Sequence, residues 1–125
     1  MTELVIIVIV TAWASQYDPG VMEKVVANQQ KWGRLPVAVL PDVDGFVAVS
    51  DCSRIGDVLY LRPTGQVNWE KYLIVDCAGS EATRDWMKVG NIVAEVDAQT
   101  AIRWGTVRMG ARVEVGKRIR RFVAR

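Results

Sequence analysis

Three aspartates in this chain stand where acid–base chemistry could be done: Asp18 in QYDPG, Asp76 in YLIVDCAG and Asp97 in NIVAEVDAQT. Each ends an extended, largely apolar stretch and precedes a turn or a short helix. A carboxylate so placed has two ordinary uses. It can cap the helix or close the turn that follows, the commonest task for Asp at such a point. It can also stand at the rim of a barrel, where carboxylates in different environments divide the roles of proton donor and charge stabiliser at a glycosidic bond. Spacing along the chain does not choose between these uses. Glu95 and Asp85 read as solvent-facing.

The 125-residue chain has no histidine. That removes Ser-His-Asp and Cys-His nucleophile pairs and most zinc sites, because the base or ligand is missing. Acid–base work must therefore fall to carboxylates, lysine or tyrosine. Five tryptophans are many for this length, and aromatic faces stack on sugar rings. Trp13 and Trp104 flank the aspartate-bearing turns and, with Tyr17, are the candidate substrate-binding residues. Trp32 and Trp86 are expected to pack their helices onto the sheet. Cys52 and Cys77 lie at the ends of two expected strands. In neighbouring strands they could reach disulfide distance, a staple in an exported protein; in a cytosolic one they would be two buried thiols. No phosphate loop or dinucleotide fingerprint is present. Neither a metal nor a cofactor is expected.

The elements that must position these residues can be read in order. A strand is expected over 4–16, dominated by isoleucine and valine and therefore buried. Asp18 is placed to cap, and Pro19 to start, a helix in VMEKVVANQQKW that Gly33 ends. The segment RLPVAVLPDVDG reads as a loop with a short extended piece. Strands follow over 46–50 and 57–62, and VLYLRP-TGQ-VNWEKYLIV has the form of a hairpin. Ser80 caps the helix EATRDWMKV, 91–96 is a strand, Asp97 caps a helix reaching Trp104, and 106–115 is the last strand. Short strands with two or three small helices in one domain favour a closed β-barrel over a doubly wound sheet.

Charge divides the chain. The net charge of +2 includes Lys117, Arg118, Arg120, Arg121 and Arg125 in the last nine residues, which hold no acid; the remainder has eleven bases against fourteen acids. The expected organisation is a barrel domain over 1–116 and a basic tail over 117–125, either solvated or in contact with a polyanion. The opening lacks a basic start and carries Glu3 ahead of its apolar run, unlike a signal peptide. Residues 4–10 are too few to span a bilayer.

Taken together, TAWASQYDPG, SDCSRIGDVLYLRP with YLIVDCAG, and VAEVDAQTAIRWG resemble the double-psi β-barrel families: rare lipoprotein A-like proteins, barwin, the expansins and the related barrel endoglucanases. The resemblance covers about residues 10–115 and implies a six-stranded double-psi barrel. By the barwin pattern it implies a Cys52–Cys77 disulfide. Asp76 matches the aspartate implicated in lytic cleavage of peptidoglycan. Asp97 matches the acid of the barrel endoglucanases and the corresponding expansin aspartate, and Asp18 lies near the endoglucanases' second carboxylate. Asp76 is followed by CAGS where the lytic enzymes have arginine-glycine-proline, and their histidine has no counterpart.

What the resemblance implies is a cell-wall polysaccharide as partner, outside the cell or in its envelope, with glycan strands cleaved or loosened through groove aspartates. The alternative is a carbohydrate-binding or structural module that kept the barrel and lost the chemistry. A third reading, a nucleic-acid binder using the basic tail, stands behind both, and nucleic acid is not the expected partner.

Overall fold

The computed structural model describes residues 1–36 and 40–124. Six strands close on themselves: β1 (Thr2–Gln16), β2 (Gly45–Val49), β3 (Val58–Pro63), β4 (Glu70–Cys77), β5 (Ile92–Val96) and β6 (Ala111–Phe122), in the ring order β1-β5-β2-β4-β3-β6. Two pairings are parallel, β1 with β5 and β2 with β4; the other four are antiparallel. Three helices lie outside the ring, α1 (Val21–Lys31), α2 (Glu81–Val89) and α3 (Ala98–Trp104), with one 3₁₀ turn at Cys52–Arg54. The chain is thus mainly β, with the expected hairpin formed by β3 and β4.

Period-two alternation turns one face of the strands into the ring, and in β2 and β4 the other face meets a second core. Ala14, Val47, Val49, Leu61, Tyr72, Ile74, Ala94, Val96 and Val113 fill the ring. On its outside, Leu73 and Val75 of β4 pack with Met22 of α1 and with Leu35, and Tyr17 and Phe46 close against them. One tight point locks the ring near α3. A Cβ on Gly45 would come within 2.5 Å of Asp97 Oδ1 and 2.6 Å of Thr100 Oγ1, so only glycine fits.

The structure departs from expectation at the ends of the chain. The strand over the apolar opening is present, but Leu4 and the run from Ile7 to Val10 are exposed, not buried. From Thr2 to Val8, β1 pairs with Phe122–Gly116 of β6 and, among the described residues, with no other strand. The expected basic tail is therefore strand as far as Phe122. Sequence pattern missed this because the pairing joins residues more than a hundred positions apart. Conversely, 106–110 is a turn, with Arg108 and Gly110 at positive φ. Trp32 and Trp86 do not pack helices onto the sheet. They are 61% and 51% exposed, and α2 instead buries Met87. Part of the extended piece expected within RLPVAVLPDVDG falls on 37–39, outside the described residues.

Candidate functional site

A row of side-chain positions runs across four adjacent strands. Ser15 of β1 is in register with Glu95 of β5, Glu95 with Ala48 of β2, and Ala48 with Asp76 of β4. The neighbours of Ser15, Glu95 and Ala48 that face the ring interior are Ala14, Ala94, Val96, Val47 and Val49. By alternation Ser15, Glu95 and Ala48 face outward. β4 is irregular at this point, its register shifting between Val47 and Ala48, and Asp76 reaches the same side, where Tyr17 of the outer cluster bonds it. Two strand spacings, about 10 Å, separate the backbones of Asp76 and Glu95, and the residue between them is an alanine. Two acids therefore share one face with only a methyl group between them.

Each acid has a different environment. The Tyr17 hydroxyl donates to Asp76 Oδ2 at 2.7 Å, and the Cys77 N–H donates to Asp76 Oδ1 at 2.9 Å. Burial, then the hydrogen bond to Asp76 and the charges of Asp76 and Glu95, push the Tyr17 hydroxyl far above its ordinary range. Tyr17 is thus a neutral donor at any working pH. Glu95, half-buried, is held above the ordinary glutamate range by burial; the nearby Ser15 hydroxyl opposes this and the negative charge of Asp76 reinforces it. Ser15 Oγ is itself buried and, although close enough to favour the Glu95 carboxylate, makes no hydrogen bond of good geometry. A carboxyl that keeps its proton to higher pH, beside one fixed by a tyrosine, is the division of labour that general acid catalysis uses.

Two clefts lie where β1 ends, and of the row Ser15 alone lines one of them. Trp13, Ser15, Ile92, Arg108 and Met109 line one of about 340 Å³. Tyr17, Asp18, Ile102 and Arg108 line a smaller one of about 140 Å³. Trp13 is 40% exposed, with the Arg112 guanidinium 5.7 Å from its ring centroid.

The aspartates do not converge as a triad. Asp97 is buried and takes the capping role: Oδ2 accepts from the Thr100 N–H at 3.3 Å, and Oδ1 from the Thr100 hydroxyl at 2.7 Å and the Phe46 N–H at 3.1 Å. It joins α3 to β2 and lines neither of these clefts. Asp18 is exposed and caps nothing; Gly20, at φ 82°, precedes α1 without a side-chain cap. Asp85 is exposed, as expected, but Glu95 is not. The signal for Glu95 was a lone acid at the outward parity of an otherwise apolar β5. Its significance depended on Ala48 and Asp76, which lie in distant parts of the sequence.

Trp104 belongs to the opposite end of the ring. Its indole N–H donates to Glu70 Oε1 at 2.6 Å, and Glu70 also accepts from the Tyr72 hydroxyl and from Arg103, each at 2.9 Å. Glu70 and Asp76 are six residues apart on one strand, about 20 Å, so Trp104 cannot stack on a ligand centred at Asp76. Cys52 and Cys77 are bonded as a disulfide, which ties the residue after Asp76 to the 3₁₀ turn. Among the described residues no cluster of three His, Cys, Asp or Glu side chains could hold a metal ion, and no helix is long and apolar enough to cross a membrane. No family model matches the chain, and comparison with the curated proteins and with the solved structures returns no match.

Proposed function

We propose that the chain is a double-psi β-barrel that engages cell-wall glycan, outside the cell or in its envelope, and cleaves or loosens it at the Asp76–Glu95 row. Two parallel pairings interleaved with antiparallel ones in a six-stranded ring support the fold reading. The observation that carries the functional reading is the outward pair of acids in unlike environments, with an exposed tryptophan at one end.

In this reading Glu95 is the proton donor. It delivers its proton to the glycosidic oxygen as the C–O bond breaks, and the Asp76 carboxylate, oriented by Tyr17, stabilises the positive charge that develops on the sugar. Water then adds to the sugar carbon and its proton returns to Glu95. Trp13 presents the stacking face. Asp97 takes no part in the chemistry; its place in the resemblance to the endoglucanases is filled here by a buried cap.

That last point favours a second reading, a binding module without catalysis. Release of soluble fragments from purified peptidoglycan and from cellulose separates the two. Catalysis predicts release that falls by about 100-fold or more in Glu95→Gln. Equal release by wild type and a Glu95→Gln/Asp76→Asn double variant rules catalysis out. Retention on the insoluble glycan without product supports the binding module, and retention on neither glycan removes both readings.

A further inference from the structure

Beyond the ring, the first half of β1 and the last half of β6 continue as a two-stranded antiparallel arm, Thr2 opposite Phe122 through Val8 opposite Gly116. Trp69 anchors its base: a Cβ on Gly116 would come within 2.9 Å of the Trp69 ring and 2.5 Å of Ile6. Past that point the arm has no third strand among the described residues. A lone two-stranded ribbon is marginally stable in water, and this one presents Leu4, Ile7, Val8, Ile9 and Val10 to solvent at 40–55% exposure.

We propose that the free edge of β1 between Leu4 and Val10 is an assembly edge, on which the same edge of a second copy of this chain adds as an antiparallel strand. Three observations select that occupant. The first is backbone chemistry. A strand edge offers a row of alternating N–H and C=O groups that another extended chain satisfies. A lipid surface cannot satisfy them, and an open edge is excluded from hydrocarbon for that reason.

The second is charge. No charged residue lies between Glu3 and Asp18, so β1 against β1 opposes apolar to apolar. The outer edge of β6 carries Lys117, Arg118, Arg120 and Arg121, and pairing there would set like charges side by side. In a β6-β1-β1-β6 sheet the two basic strands are three spacings apart, about 14 Å, beyond the roughly 8 Å over which charges act at physiological salt. The third is symmetry. An antiparallel pair about a two-fold axis is self-complementary, and centred on Ile7 it sets Ile6 against Val8, Val5 against Ile9 and Leu4 against Val10.

The test is the mass of the full chain in solution by light scattering over a wide range of concentration. Wild type is expected at twice the chain mass, and Ile7→Lys/Ile9→Lys at the mass of a monomer with an unchanged circular-dichroism spectrum. Arg118→Gln/Arg120→Gln should remain a dimer. If the lysine variant does not fold, hydrogen exchange of the wild type decides: protection of the 4–10 amides must rise with protein concentration. A wild type that is monomeric throughout, a dimer that survives both lysines, or protection independent of concentration overturns the proposal. A monomer that sediments with phosphatidylserine vesicles overturns it in favour of a lipid surface.

Discussion

Asp76 and Asp97 begin alike in sequence, each at the end of a largely apolar strand and followed by small residues, and they end in opposite states. After Asp97 the chain turns at once into α3, so the N–H and hydroxyl of Thr100 arrive at its carboxylate, and the adjacent β2 adds the Phe46 N–H. After Asp76 the chain runs through Cys77, Ala78 and Gly79 before α2, and Ser80 supplies that helix's cap by accepting from the Thr83 N–H. A strand-terminal aspartate is drawn into the backbone when the next helix starts immediately. It is left for side-chain partners when another residue takes the cap.

Removing each carboxylate tests that contrast at its largest. Asp97→Ala removes a cap and leaves two donors near or in the core unpaired, an expected loss of about 4 kcal/mol in urea unfolding. Asp76→Asn, similar in shape and half-exposed, should change stability by no more than about 1 kcal/mol. Equal losses would show that the two aspartates are both structural. Next in size is the disulfide. Replacing Cys52 and Cys77, 25 residues apart, by serine is expected to lower stability by about 3 kcal/mol. It should also loosen the Cys77 N–H that holds Asp76, and so weaken glycan retention where Asp97 variants that stay folded do not.

Tyr17→Phe probes the Asp76 side alone. Loss of one partly buried hydrogen bond should lower stability by about 1 kcal/mol, with a larger proportional fall in fragment release. A variant that loses stability but keeps full release would leave Tyr17 as packing. The smallest effect is Glu95→Gln. Because the folded state raises the Glu95 pKa, its carboxyl is protonated in both states below the ordinary value near 4.5, and folding loses stability as pH rises through that value toward the raised one. The glutamine variant should therefore unfold at slightly higher temperature than wild type at neutral pH, by under about 1 kcal/mol given its partial exposure, and the two should converge at low pH. Identical melting profiles across this range would place Glu95 in solvent.

Much of the architecture was legible along the chain because it depends on neighbours in sequence. The β-branched runs, the hairpin between β3 and β4, the Ser80 and Asp97 caps and the glycine after α1 are set within a few residues of themselves. Trp32 and Trp86 were misread because helical spacing alone does not say which side of a short helix meets the ring. The apolar run from Leu4 to Val10 was misread for a related reason: isoleucine and valine specify a strand, while burial depends on whether another element arrives to cover it.

By itself, then, the sequence determined a mainly β chain without histidine, its helix caps, and acids standing at strand ends. Only the tertiary structure decided which acids became neighbours. Ring closure set Glu95 and Asp76 on either side of Ala48 across three strands far apart in the chain, and carried Trp104 to the other end. Pairing register is fixed by which faces fill the ring, a property of all six strands together that no single segment holds.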